Sequence, residues 1–312
     1  MRFRIARIAV ACGLALVVGG CGSSQPPTAG RSNGLPTAAS SVLTSDALDL
    51  VTRSGRWPAT ETTLDGAIDK LVTRCMQAKG LKYLAVPTSV ENNDDEAQIV
   101  DLAKRRQQGY GLEQTESSLA DRPEDAYVAT LSSEEQQHYL QALYGADSDR
   151  ITVNLFDSGQ VTVTDRGCQA DAIRGLADDV SRWALVTNGP QQLGNRLASE
   201  LSSDAGYQAA MGRWRQCMAT KGMPYLDPDH AVQALRNSYQ AHGVTPQSRG
   251  QEISTAVADG ECALAVHLPL TATASRRALA GRLPEQDRRT LNALAGERDQ
   301  AIARASAILS RS

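Results

Sequence analysis

The feature that most restricts how this chain can fold is a doubled cysteine motif. Cys75-Met76-Gln77-Ala78-Lys79-Gly80-Leu81-Lys82-Tyr83 matches Cys217-Met218-Ala219-Thr220-Lys221-Gly222-Met223-Pro224-Tyr225 at Cys, Met, Lys, Gly and Tyr. A second echo follows in the same order, Asp165-Arg166-Gly167-Cys168 and then Asp259-Gly260-Glu261-Cys262. Four cysteines allow three pairings. The repeat selects Cys75 with Cys168 and Cys217 with Cys262, one bridge per unit. Zinc does not suit the set, because no CxxC or HxxxH occurs and His138, His230, His242 and His267 are scattered. No metal ligands are nominated. Free buried thiols are the remaining alternative.

Each first cysteine reads as the end of an amphipathic helix. Leu64, Ile68, Leu71 and Cys75 follow steps of three and four, as do Tyr207, Met211, Trp214 and Met218. Thr60 to Thr63 and Ser203 are the capping candidates, and Gly80 and Gly222 fall where a helix ends in a left-handed residue. Lys79 and Lys221 then complement the helix dipole, a contribution of ~0.3–1 kcal/mol. Tyr83 and Tyr225 are expected over the helix exits. Cys168, Ala172, Leu176, Val180 and Trp183 form a second stripe, with Asp165 as its cap; Ile253, Val257, Gly260 and Leu264 form the matching one around Cys262. A bridge would staple two helices per unit, worth ~3–5 kcal/mol in the chain-entropy account.

The rest of the chain is mainly α. Asp94 to Gln108 reads as an exposed helix, acids first and Lys104-Arg105-Arg106 last, broken by Gly109-Tyr110-Gly111. Ser132 to Glu135 is a capping box for a helix that runs to Tyr144. Ile151 to Phe156 and Gln160 to Thr164 alternate around Asp157-Ser158-Gly159, a small β-hairpin. Pro190 to Leu201 and Asp229 to Ala241 are helical, and Pro284 opens a long C-terminal helix with Leu291, Leu294, Ile302, Ala305 and Leu309 on one face. That helix is expected to pack on its own unit, with a partner helix as the alternative. The expected fold is a disulfide-stapled helical assembly of two related units, 45–187 and 188–312.

The N-terminus says where such bridges would survive. Arg2, Arg4 and Arg7 precede an apolar run from Ile8 to Val18. That run is too short for a membrane span of ~20 residues and is the size of a signal-peptide core. Val18-Gly19-Gly20-Cys21 follows, and resembles the lipobox of bacterial lipoproteins. The resemblance implies cleavage after residue 20, lipid (palmitate or a similar acyl group) on Cys21, and anchoring at the extracellular face of the cell membrane. Plain secretion with cleavage near Gly20 and an uncleaved anchor are the alternatives. Residues 21–44, rich in Ser, Gly, Pro and Thr, read as a flexible tether. Removing the leader leaves 29 Lys+Arg against 35 Asp+Glu, a net charge of −6 that gives no reason to expect nucleic acid.

A wider resemblance rests on the lipobox, the C-M-x-x-K-G-x-x-Y motif, Gly109-Tyr110-Gly111-Leu112, the Leu131–Glu134 helix start with Ala142-Leu143-Tyr144-Gly145, and Gly167-Cys168. This order is similar to a group of secreted lipoproteins of high-GC Gram-positive (actinobacterial) bacteria. The resemblance implies an accessory or binding role at the cell envelope, as companions of ABC-type export systems or as adaptors for an envelope protein or peptide.

Chemistry is hard to place. No HExxH, Walker A or GxGxxG pattern occurs. Asp227-Pro228-Asp229-His230 reads as a capped turn in preference to hard-metal ligands, and Asn92 to Glu96 as a solvated helix start. Asp178-Asp179 is a carboxylate pair whose members, adjacent on the helix of Cys168, would point apart. No catalytic residue and no cofactor is nominated. The expectation is a non-enzymatic envelope lipoprotein; the alternative is an envelope hydrolase or redox protein of unrecognised type.

Overall fold

A computed structural model describes residues 42–85, 100–112 and 123–311. The leader, Cys21, the tether as far as residue 41 and the Asn92–Glu96 run lie outside the described residues. Among the described residues there are twelve α-helices and one antiparallel hairpin.

The chain enters through α1 (Ser45–Thr52), whose first turn is capped by the Thr44 hydroxyl accepting from the Ala47 N–H. Helix α2 (Trp57–Ala78) follows with Pro58 in its first turn. Thr60, Thr62 and Thr63 are therefore inside the helix and do not cap it; their hydroxyls donate back to carbonyls one turn earlier. Next come α3 (Leu102–Gln108), α4 (Pro123–Ala129) and α5 (Ser133–Tyr144). Helix α3 starts after the Asp101 cap, so the Asp94 start is not seen: residues 94–99 lie outside the described set. The capping box of α5 forms as expected between Ser132 and Glu135.

A hairpin, β1 (Arg150–Asn154) and β2 (Gln160–Thr164), pairs Arg150 with Thr164 and Asn154 with Gln160. Then follow α6 (Gly167–Ala177), α7 (Val180–Leu201), α8 (Ala205–Thr220), α9 (Pro228–His242), α10 (Pro246–Ala265), α11 (Leu268–Gly281) and α12 (Glu285–Ser310). The single stripe expected from Cys168 to Trp183 is two helices. Asp178 takes a left-handed φ of 63°, and the Asp179 side chain caps α7 by accepting from the Arg182 N–H. Pro190 lies within α7 instead of opening it, and Asp204, not Ser203, caps α8.

One apolar core gathers both halves of the sequence. Leu50, Val51 and Leu64 meet Leu176, Trp183, Leu193 and Leu197 from the middle of the chain, and Leu291 and Leu294 from its end. Helix α12 packs on α2, α6, α1 and α7, with α11 on α7, α1 and α8. The long C-terminal helix thus lies against the first unit, because its apolar face meets the faces of α2 and α6. The 187/188 boundary between the motif-bearing units falls within α7, and the described residues cluster as one compact unit. Among the described residues no helix is long and apolar enough to cross a membrane.

Candidate functional site

Both bridges form. Cys75 Sγ is joined to Cys168 and Cys217 Sγ to Cys262, with Cα separations of 5.6 and 5.7 Å. The first-cysteine motif is the same structure twice. Gly80 and Gly222 take φ values of 73° and 76°, a region that costs an L-residue ~1–2 kcal/mol. The Leu81 N–H then reaches back to the Met76 carbonyl at 2.9 Å, and the Met223 N–H to the Met218 carbonyl at 3.0 Å. The Gly80 and Gly222 N–H groups bond the Gln77 and Ala219 carbonyls, which completes a Schellman end in each unit. Met76 and Met218 are fully buried beneath these ends, with Tyr83 and Tyr225 packed against the same clusters.

The second-cysteine motif is not the same structure twice. Cys168 is the second residue of α6, whereas Cys262 lies three residues before the end of α10. Asp165 does not cap α6; it sits partly exposed and pairs with Arg174. Its sequence counterpart Asp259 is 3% exposed inside the protein. The stripe Ile253, Val257, Gly260 and Leu264 is not the buried face of α10 either, since Leu264 is 43% exposed. The buried face runs Glu252, Ala256, Asp259, Ala263, and it carries two carboxylates.

Those carboxylates organise a polar centre. Asp259 Oδ2 accepts from Arg105 Nη1 at 2.6 Å and from the Tyr110 hydroxyl at 2.9 Å; Oδ1 accepts from Trp214 Nε1 at 2.8 Å. Arg105 also donates to the Ala256 carbonyl at 3.0 Å, and its guanidinium lies 5.2 Å from the Tyr110 ring centroid. Glu252 accepts from the Tyr239 hydroxyl at 2.6 Å and from the Leu112 N–H at 2.9 Å. Gly260 lets α3 approach closely, because a Cβ there would lie 2.8 Å from Leu102 Cδ2. The Gly109-Tyr110-Gly111-Leu112 segment is thus an anchor: Tyr110 reaches Asp259, and Leu112 packs with Leu235 and Tyr239.

This centre is built to hold helices together. The Arg105 and Asp259 side chains are both buried, and a buried ion pair loses its hydration, so it persists only where further hydrogen bonds complete it. Sequence reasoning missed it because Arg105 sits in a Lys-Arg-Arg run that looks solvated and Asp259 looked like half of a repeat. The available signal was the step of seven between Glu252 and Asp259, which puts both on one helix face with Cys262.

The remaining candidates are separate from it. Asp178 and Asp179 lie in the break between α6 and α7, not on the helix of Cys168; Asp178 pairs with Arg304 at 2.7 Å and Asp179 is a cap. Asp227 caps α9, accepting from the His230 N–H and contacting His230 Nδ1, each at 2.8 Å. Burial would raise that carboxyl, but the bonds from His230 outweigh it and leave Asp227 below its usual range. His138, His230, His242 and His267 are all exposed; His230 and His242 stand at opposite ends of α9, and the other two lie elsewhere. Lys221 pairs with Glu261 at 2.8 Å, and that hydrogen bond holds the Glu261 carboxyl below its ordinary value. In the first unit Gly167 stands where Glu261 would be, so the repeated lysines differ in partner. Among the described residues no group of three or more His, Cys, Asp or Glu could hold a metal ion. Comparison of the whole chain with family models, with curated proteins and with solved structures finds no match to any of them.

Proposed function

We propose that this chain is a lipid-anchored protein of the outer face of a cell membrane, tethered through Cys21 and acting by binding an envelope protein or peptide. The observation that carries the reading is the pair of long-range disulfides. Bridges between residues 93 and 45 positions apart are features of exported chains, which mature outside the reducing cytoplasm. The sequence supplies the route: a basic start, a short apolar run and Gly19-Gly20-Cys21. Two acyl chains on that cysteine would give stable anchoring, where one would not. A non-catalytic role is supported by how the buried charges of α10 are used, since Glu252 and Asp259 receive donors from the chain itself. An accessory role beside an ABC-type exporter is the partner class that the resemblance suggests.

The test is the N-terminus of the protein isolated from cells. Mass spectrometry should find mature chains beginning at Cys21 with acyl groups attached, and Cys21→Ala should leave the membrane fraction. A Cys21→Ala chain that stays membrane-bound, or a mature N-terminus upstream of residue 21, would overturn the anchor. For the binding role, crosslinking on intact cells should recover a discrete envelope partner from the wild type and lose it in Cys21→Ala; equal recovery from both would sink the tethered-adaptor reading.

A further inference from the structure

Around the first disulfide, two carboxyls share a tyrosine-rich space. Glu124 on α4 is 5% exposed and accepts from the Tyr139 hydroxyl at 3.3 Å, while Tyr139 on α5 is fully buried. Asp69 on α2 is half-buried and accepts from the Tyr83 hydroxyl at 3.4 Å. Tyr127, also on α4, meets Tyr139 edge-on at 6.0 Å, and both rings pack in the cluster that contains Cys75 and Cys168. Neither carboxyl has a cationic partner among the described residues. The nearby ammonium of Lys82 lies 5.2 Å from the Tyr127 ring centroid instead. The groups that face Glu124 are Asp125 on its own helix, Asp69 from α2, Tyr83 from the segment after α2, and Tyr139 from α5.

An ionised carboxyl in such a place loses its hydration, faces a second negative charge and, among the described residues, is held by a phenol. We propose that the Glu124–Tyr139 pair, with the Asp69 charge facing it, forms an acid-stabilised latch, which docks α4 onto α5 firmly when the carboxyls carry protons and loosens it when they ionise. The electrostatics agree with the geometry. Burial raises the Glu124 carboxyl above its ordinary value, and the Asp125 and Asp69 charges add to the effect; burial raises Asp69 likewise. Burial also lifts Tyr139 and Tyr83, with the carboxylates adding to it, so both phenols remain donors. A carboxyl raised in the folded chain contributes stability that is full below its unfolded value and is lost as pH rises through its folded value. The latch is therefore tighter at lower pH than at higher pH, the reverse of a salt-bridged carboxylate. Releasing α4 would uncover Tyr139 and the apolar lining beside the Cys75–Cys168 bridge.

Hydrogen exchange of the full mature chain between pH 7.5 and pH 5, corrected for intrinsic rates, tests this. Protection of α4 should rise as pH falls, on the order of tenfold for each unit by which docking lifts the carboxyl. Protection of α12, remote from the latch, should not follow. Glu124→Gln should give high protection of α4 with only the small slope left by Asp69, and Asp69→Asn should reduce the slope by less. Wild-type protection that is flat or falls in acid, or a Glu124→Gln chain that keeps the wild-type slope, overturns the latch. A carboxyl carbon titration of Glu124 in the unaltered chain reads the same quantity without a variant: a midpoint above about 4.3 supports the latch, and one at or below it refutes it.

Discussion

Cys75 and Cys217 finish their helices in the same way, while Cys168 begins its helix and Cys262 ends its own. The comparison separates two kinds of information in a repeat. The C-M-x-x-K-G-x-x-Y segment is a local device: a buried methionine, a left-handed glycine and two backbone bonds that any helix end of this sequence can make. The D-x-x-C segment has no such local meaning. A disulfide asks only that two Cα atoms lie within a few ångströms, so the second cysteine can be delivered from either end of a helix. The neighbouring aspartate then takes whatever role its surroundings require, a surface ion pair in one unit and the centre of a buried network in the other.

The strongest way to break this contrast is at the two aspartates. Asp259→Ala should cost roughly 3–5 kcal/mol in chemical denaturation, because Arg105 is left buried without its partner. Asp165→Ala should cost less, about 1 kcal/mol, since its pair with Arg174 is partly solvated. Equal costs would mean that the two motifs are structurally alike after all. Removing a whole bridge sharpens the comparison next. Cys75→Ala with Cys168→Ala should cost roughly 2–5 kcal/mol, and Cys217→Ala with Cys262→Ala slightly less, because the closed loop is shorter, 45 against 93 positions. Thermal melts of the two double variants would read the order, and a reversed order would point to the polar centre as the larger prop of the second unit.

Smaller effects test the part that the units share. Gly80→Ala and Gly222→Ala should each cost about 1 kcal/mol, by the same amount within error, because both residues have the same left-handed conformation and open space beyond the α-carbon. A large difference between them in denaturant titrations would show that the ends are not equivalent. Smallest of all, Lys221→Ala should have a barely measurable cost through the exposed pair with Glu261, and Lys79→Ala a smaller one. A salt titration of the melting temperature should reduce the Lys221 effect more than the Lys79 effect, which has only the helix dipole to lose.

Much of the secondary structure was legible in the residues. The Ser132 capping box, the Asp227 cap and the Asp157–Gly159 turn all act over a span of a few residues, and each stands where its pattern places it. The helix break at Asp178 was hidden because Leu176, Val180 and Trp183 keep helical spacing across it. The threonines before Leu64 looked like caps because their hydroxyls can bond backbone on either side of a helix start, and here they bond back within α2. Helix α11 follows His267 in a left-handed conformation without a side-chain cap, so the usual start signal is missing.

The candidate site was mostly illegible for a different reason. Helix periodicity reports burial only when the buried face is apolar, and the inward face of α10 carries Glu252 and Asp259. Whether such residues can be buried depends on donors far along the chain: Arg105 is 154 positions from Asp259 and Leu112 is 140 from Glu252. The amino-acid sequence by itself determined the helical class, the helix ends at Gly80 and Gly222, the hairpin and the cysteine pairing, since each follows from nearby residues or from a visible repeat. Only the tertiary structure decided which face of α10 turns inward, where α12 packs and what Asp259 does. Those outcomes depend on desolvation, and desolvation is set by whichever distant segments arrive to exclude the water.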